Sequence, residues 1–329
     1  MPHLVRRQTC QWIALASLAF CASTPSAMAQ AAYPSKPITL VVTYPPGGGA
    51  DAMARLIGPK MGEALGQTIV IENKPGAGGQ IGAAAVSKAA PDGYTLMLDA
   101  SSFSVNPSLY PKLPYDSAKA FQPVGVVALF PNVVLVNANF SAKNVPELIA
   151  AAGKSKDAVS YASSGNGSAQ HLAGALFESA AKVDMVHVPY KGGGPALNDV
   201  IGGQVPLFFG NLASTLQHVQ SGKLRALAVT SGKRSSILPD VPTLSESGLR
   251  GTEIYEWNAV FAPANTPEPV MKKLADAFQQ ALDSPEVKAR IAQLGGDIQK
   301  GSPEQAKRFI EQQTSLWNRV IKERKITIE

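Results

Sequence analysis

The sequence predicts an α/β protein built as two lobes, and three observations carry that expectation. Apolar, β-branched runs end in glycine-rich loops and are followed by apolar residues at helical spacing, which is the signature of strand, tight turn and helix. Leu40 to Arg55, LVVTYPPGGGADAMAR, is the clearest case, and the same arrangement returns in the second half at Ser163 to Ala181 and at Met185 to Leu197. Finally, 329 residues are more than one core ordinarily holds, so two cores are expected.

In the first half, Leu40 to Thr43 reads as a buried strand stopped by Pro45 and Pro46. The glycines after it let main chain approach a ligand, and the first turn of the helix presents unpaired N–H groups and a positive dipole end. The natural guest is an anion. A second strand, Thr68 to Glu72, enters the loop Gly76-Ala77-Gly78-Gly79 and a helix rich in alanine up to about Ala90. Tyr94 to Leu98 is a third strand ending in Asp99-Ala100-Ser101-Ser102-Phe103, and ligands of open parallel sheets sit outside such carboxyl ends. Asn106 to Gln122, broken by Pro107, Pro111 and Pro114, reads as an irregular surface connection. Val124 to Leu129 and Val133 to Val136 read as two strands, the second crossing into the other lobe.

The second half repeats this logic. Ala158 to Ala162 is a short strand, Ser163 to Ser168 a small polar loop, and Ala169 to Ala181 a helix with Leu172, Leu176 and Ala180 on one face. Met185 to Val188 precedes Tyr190-Lys191-Gly192-Gly193-Gly194 and a helix from about Pro195. Val205 to Phe209 and Leu224 to Val229 complete this sheet, and Trp257 to Ala262 is a return strand. Helices over Glu268 to Leu282, Pro285 to Leu294 and Pro303 to Lys322 are expected to pack back on the first lobe through Leu274, Phe278, Leu282, Phe309, Trp317 and Val320.

Residues 1 to 29 carry an export signal: basic Arg6 and Arg7, an apolar run from Trp12 to Cys21, and Ala27-Met28-Ala29 as the cleavage site. The apolar run falls short of the roughly 20 residues of a membrane span. Both cysteines, Cys10 and Cys21, fall in this segment, so the exported chain relies on its core without disulfides. Removing Arg6 and Arg7 lowers the formal charge from +6 to +4, a mildly basic balance suited to anions. No arginine-rich run or interleaving of basic and aromatic residues points to nucleic acid.

Several chemical motifs compete with simple anion binding. Gly47-Gly48-Gly49-Ala50-Asp51-Ala52 fits a dinucleotide fingerprint with Glu72 as the ribose acid, but two prolines directly before the glycines are awkward for that turn. Ser168 and His171 could serve an exported hydrolase, yet the G-x-S-x-G elbow is missing and Ser168 is a good helix N-cap. His187 lies in an apolar strand and His218 apart from it, so no metal or other cofactor is expected. Asp51 in a first helical turn is explained by the dipole. Lys191 either faces a carboxylate or is solvated, and Tyr44, at its strand's end, reads as a wall of the site.

With these residues assembled, the chain closely resembles the Bug family of periplasmic solute receptors, whose type member serves a tripartite tricarboxylate transporter. The ordered motifs YPSKPITLVVTYPPGGGADAMAR, ENKPGAGGQIGA, PDGYTL, LPYD, HLAGALF, HVPYKGGGPAL, GKLRALAVT, LPDVPTLSESG and APANTP carry the resemblance over nearly the whole exported sequence. It implies a two-lobed periplasmic binding protein of the Venus-flytrap type, with a hinged cleft between two Rossmann-like lobes and no catalytic activity. The expected division is about residues 33–133 plus 257–329 for one lobe and 134–256 for the other.

The resemblance further implies that one carboxylate of a small organic acid is held mainly by main-chain N–H groups. Carried onto this chain, the first-lobe contacts are Tyr44, Gly48, Gly49, Ala50, Asp51, Ser101 and Ser102. Those of the second lobe are Ser164, Gly165, Asn166, Ser168, Lys191, Gly192 and Gly193, with Asn211 as an outer contact. Phe103 stands where the family often has a histidine-bearing stretch; it either closes the pocket's far end, favouring an aromatic or longer apolar acid, or packs in the core. The implied protein is a periplasmic monomer that passes a di- or tricarboxylate, amino acid or aromatic acid to membrane transporter subunits or a sensor kinase.

Overall fold

The computed structural model describes residues 33–155 and 157–327. The chain divides after Ser35, and every element below belongs to the larger unit, Lys36–Glu329. The expected export signal lies outside the described residues. No helix among the described residues is long and apolar enough to cross a membrane.

The first half runs β1 (Ile38–Val42), α1 (Gly49–Leu65), β2 (Ile69–Asn73), α2 (Gln80–Val86), β3 (Thr95–Ala100) and α3 (Ser102–Leu109) into the long β4 (Phe121–Asn137). The second half follows with α4 (Val145–Ala152), β5 (Ser160–Ser163), α5 (Ala169–Ala181), β6 (Val186–Pro189), α6 (Gly193–Ile201), β7 (Leu207–Asn211), α7 (Leu212–Gln220) and β8 (Leu224–Val229). The chain then returns through β9 (Tyr255–Pro263), α8 (Glu268–Asp283), α9 (Pro285–Gln293), β10 (Asp297–Ile298) and α10 (Pro303–Arg324).

β1 pairs in parallel with β2 and β3, which leaves the carboxyl ends of all three on one side. β9 joins antiparallel to β3, and the first part of β4 antiparallel to β9. In the second sheet β5 lies parallel between β6 and β7, and the last part of β4 runs antiparallel to β7 and β8.

β4 belongs to both sheets. Phe121 to Pro131 pair with β9, and from Asn132 onward the partner is β7. The two strands expected at 124–129 and 133–136 are therefore one. Proline cannot donate to a ladder and sits in strands only at edges, starts or irregularities; here Pro131 is the last residue before the partner changes, so its missing N–H falls where one ladder stops.

Alternation along the second-sheet strands divides their side chains between two cores. Val134, Val136, Leu207 and Phe209 meet α5 through Leu172 and Phe177. Val133, Leu135 and Phe208 meet α6 and α7 through Ala196, Val200 and Leu212. Helices thus cover both faces, which is why these strands read as continuous apolar runs. The first sheet buries Val41, Met97, Phe261 and Trp257 against Ile310 of α10.

Two further expectations need correcting. Asn106 to Leu109 is helical, with Asn106 and Leu109 buried, not an irregular stretch: burial of Phe103, Val105 and Leu109 outweighs the helical hydrogen bond that Pro107 cannot make. α10 does not pack only on the first lobe, because Trp317, Val320 and Ile321 join the cluster of Leu172, Phe177 and Phe209. The helix is long enough, at 22 residues, to serve both cores.

Candidate ligand-binding site

The N-terminus of α1 is open. Gly48 occupies the cap position, and no side chain caps the helix. Gly48 and Gly49 are exposed, and a Cβ at Gly49 would meet nothing within 4 Å. The first-turn N–H groups of a 17-residue helix are therefore left without a capping side chain at the positive end of its dipole.

Asp51, in the first turn, is 3% exposed. Its Oδ2 accepts from Gly47 N and from Arg55 Nε, both at 2.9 Å, and its Oδ1 accepts from Asn73 Nδ2 at 2.9 Å. Asn73 also donates to Tyr44 O at 3.0 Å. The Arg55 hydrogen bond above all, with those of Gly47 and Asn73, holds the Asp51 carboxyl down at about 2 against burial. Gly47, at φ 81, takes a left-handed conformation that suits glycine, and this brings its N–H to Asp51. Asp51 is thus a clasp that shapes the loop from beneath, with both carboxylate oxygens engaged within the protein.

At the end of β3, Ser102 and Tyr44 are joined hydroxyl to hydroxyl. Burial above all, and then the Asp99 carboxylate, push the Tyr44 hydroxyl well above its ordinary range. Asp99 is fully buried; Thr43 Oγ1 and Ala100 N both donate to its Oδ1 at 2.7 Å, while Oδ2 has no partner among the described residues. Burial pushes its carboxyl up to about 6. Ser101 is buried, and its carbonyl accepts from Ser104. Phe103 is 4% exposed and stacks among Phe121 and Phe261, with centroids 5.6 and 4.5 Å away. Its ring packs in the core, the second of the two places expected for it.

In the second sheet, the loops after β5 and β6 are bound together. Tyr190 N donates to Ser163 O and Gly192 N to Ser164 O. Gly193 approaches Ser164 so closely that a Cβ there would stand 3.2 Å from its hydroxyl oxygen. Ser168 caps α5: its Oγ accepts from His171 N at 3.2 Å and donates to Gly165 O at 2.7 Å. That geometry leaves no bond between the Ser168 hydroxyl and the His171 imidazole, since His171 Nδ1 accepts from Gly167 N at 3.1 Å. Ser168 and His171 therefore do not form the nucleophile and base that the hydrolase reading needs of them. α6 has Gly192 at its cap and no capping side chain. Lys191 is exposed and forms no ion pair among the described residues. Asn166 is also exposed and lines a cavity of about 280 Å³ with Tyr161, His171, Glu178, His187 and Arg324.

The loop rests on two histidines. His187 Nε2 shares a 2.6 Å hydrogen bond with Ser163 Oγ, which also accepts from Gly165 N. Burial lowers His187 to about 4; burial, and then the neighbouring His187, lower His171 to about 3. Neutral imidazoles are therefore part of the scaffold. Among the described residues no group of three or more His, Cys, Asp or Glu is placed to hold a metal ion.

Where the two sheets meet, sequence reasoning named Asn211 but missed its neighbours Glu256 and Gln170. Glu256 Oε2 accepts from Gln170 Nε2 and Asn211 Nδ2, both at 2.9 Å, and Gln170 also reaches Asn132 Oδ1 at 3.3 Å. Asn211 Oδ1 meanwhile caps α7 by accepting from Ala213 N. Gln170 and Asn211 follow strand ends as expected ligand residues do, and that position was their only signal.

Two α/β sheets sharing a long strand, with glycine-loop helix N-termini at the strand ends of each, define a two-lobed periplasmic binding protein. The chain belongs to the tripartite tricarboxylate transporter family of receptors, TctC, which matches residues 53–326. Among solved structures it is similar to the periplasmic binding protein BugD, with 38% identity and a TM-score of 0.80 over 90% of this chain and 100% of that one. Rpa4515 of R. palustris, solved with adipate, is 34% identical with a TM-score of 0.83 over 90% of this chain and 99% of that one. MatC of Rhodopseudomonas palustris, solved with bound malate, is 34% identical with a TM-score of 0.79 over 88% of this chain and 100% of that one. As a family member the chain is a receptor of the tripartite tricarboxylate transporter type.

Proposed function

We propose that the exported protein, cleaved near Ala29, works as a non-catalytic monomer that captures one small organic acid and hands it to membrane transporter subunits or a sensor kinase. The observation that carries this reading is the uncapped N-terminus of α1 at Gly48 and Gly49. Its N–H groups suit a carboxylate for the same reason that such ends suit phosphate. Gly48, Gly49 and Ala50 would hold one end of the ligand, with Tyr44, Ser101 and Ser102 beside them. Ser164, Gly165, Asn166, Ser168, Lys191, Gly192 and Gly193 would close from the second lobe, with Asn211 at the margin. The bound adipate and malate of the two R. palustris receptors support the carboxylate class.

The lobes would divide at the change of partner between Pro131 and Asn132 and again near Glu256, and ligand would favour the closed arrangement by hinge motion. A thermal-shift screen of the exported form against amino acids, di- and tricarboxylates and aromatic acids tests the reading. At about 100 times Kd a ligand adds about 2.7 kcal/mol, so at least one acid should raise the melting temperature by several degrees. Turnover of an ester or amide, lost in Ser168→Ala, would instead favour a hydrolase.

A further inference from the structure

Glu256 is the second residue of β9, opposite Phe130 in the ladder, beside the point where β4 leaves one sheet for the other. Its Oε2 is saturated by two amide donors, Gln170 from α5 and Asn211 from the end of β7. Both amides are oriented by other bonds. Asn211 uses its oxygen to cap α7, so only its nitrogen can face Glu256. Gln170 is 5% exposed and also donates to Asn132.

The other oxygen, Oε1, has no partner among the described residues, and Glu256 is only half-buried there. No lysine, arginine or histidine among them pairs with it, whereas Asp51 has Arg55 and Glu178 has Arg324. Asn258 of β9 pairs with Ala100, the last residue of β3, so Glu256 lies two residues along, at the strand end where Ser102 meets Tyr44, and its charge acts on the Tyr44 hydroxyl. A carboxylate thus stands without a counter-charge among the described residues, held by Gln170 and Asn211 beside the carboxyl end of β3.

An anionic ligand brought to that place is repelled by Glu256 unless it carries a donor between the two charges. With Asp51 spent on its own loop and Asp99 fully buried, Glu256 is the acid available to read such a donor. We propose that Glu256 Oε1 accepts a hydrogen from the bound acid, and that the ligand is therefore a carboxylate bearing an ammonium or hydroxyl group. An ammonium fits best, because it supplies the missing positive charge as well as the hydrogen bond. This rests on the carboxylate-receptor reading above.

The test is calorimetric titration of the exported form and of Glu256→Gln with matched acids: succinate, malate and aspartate, then glutarate and glutamate. Glutamine keeps an oxygen for Gln170 and Asn211 while losing the charge. The wild type should prefer the donor-bearing member of its set, and Glu256→Gln should bind that member at least about tenfold more weakly while leaving the unsubstituted acid unchanged or tighter. Parallel loss for every member, or an unchanged affinity for the donor-bearing acid, overturns the proposal and makes Glu256 a strut. Wild-type binding confined to acids without a donor also overturns it, and needs no folded variant. That result leaves the carboxylate receptor standing, whereas binding of no acid at all removes both.

Discussion

The imidazole rings of His171 and His187 lie 3.8 Å apart and 2° from parallel, directly behind the Ser163–Ser168 loop. Folded, they stay neutral down to about 3 and about 4, whereas the unfolded chain protonates each near its ordinary 6.5. Their contribution is therefore complete above about pH 6.5 and is lost as pH falls toward the folded values. Each proton is worth roughly 1.4 kcal/mol per pH unit. His187→Gln should make urea stability between about pH 4.5 and 6.5 fall less steeply by about one proton, and an unchanged slope would count against the buried neutral pair.

Asp99 acts in the opposite sense. Its folded carboxyl sits near 6, above its unfolded value, so the neutral form is favoured by folding and its contribution fades as pH rises through about 6. Asp99→Asn should remove this compensation and steepen the acid-side loss of stability by about one proton. The same urea series measures it.

Asp51→Asn should loosen the Gly47 turn, costing about 1–3 kcal/mol because the partners of a buried carboxylate are left poorly matched. Affinity for aspartate and for succinate should fall in parallel. Selective loss for the amino acid, read by calorimetry, would return Asp51 to the ligand.

Phe103→Ala should cost about 3–5 kcal/mol in chemical denaturation, since the ring lies among Phe121 and Phe261. It should leave the order of ligand preference unchanged. A changed order would place the ring at the pocket after all.

Where pattern and burial coincide, the chain announces its elements. Ala169–Ala181 and Leu224–Val229 have the expected bounds, because each has uniform apolar periodicity and a clean cap or turn. α4 was legible but overlooked: Asn144 accepts from Glu147 N, and Glu147 returns to Lys143 N and Asn144 Nδ2, a local cap with an acid three residues on. Pro107 points in the other direction, a local breaker overridden by the burial of Val105 and Leu109 on either side of it. The family motifs placed the glycine loops, yet could not tell a residue that touches ligand from one that shapes the loop. For Asp51 the loop-shaping partner, Asn73, lies 22 residues away. Glu256 was hidden for the same reason: Gln170 and Asn211, 86 and 45 residues distant, give it meaning only after folding.

The open end of α1 is the centre of the account, and Gly49→Ala tests it most directly. A Cβ there meets nothing in the protein, so stability should be unchanged or raised by up to about 1 kcal/mol. The same methyl would stand where the carboxylate approaches the first-turn N–H groups. Calorimetric titration of wild type and Gly49→Ala with the best acid from the thermal-shift screen should show affinity at least about tenfold lower in the variant, at equal stability. Equal affinity in the two proteins would contradict the account, placing the bound acid away from Gly48, Gly49 and Ala50.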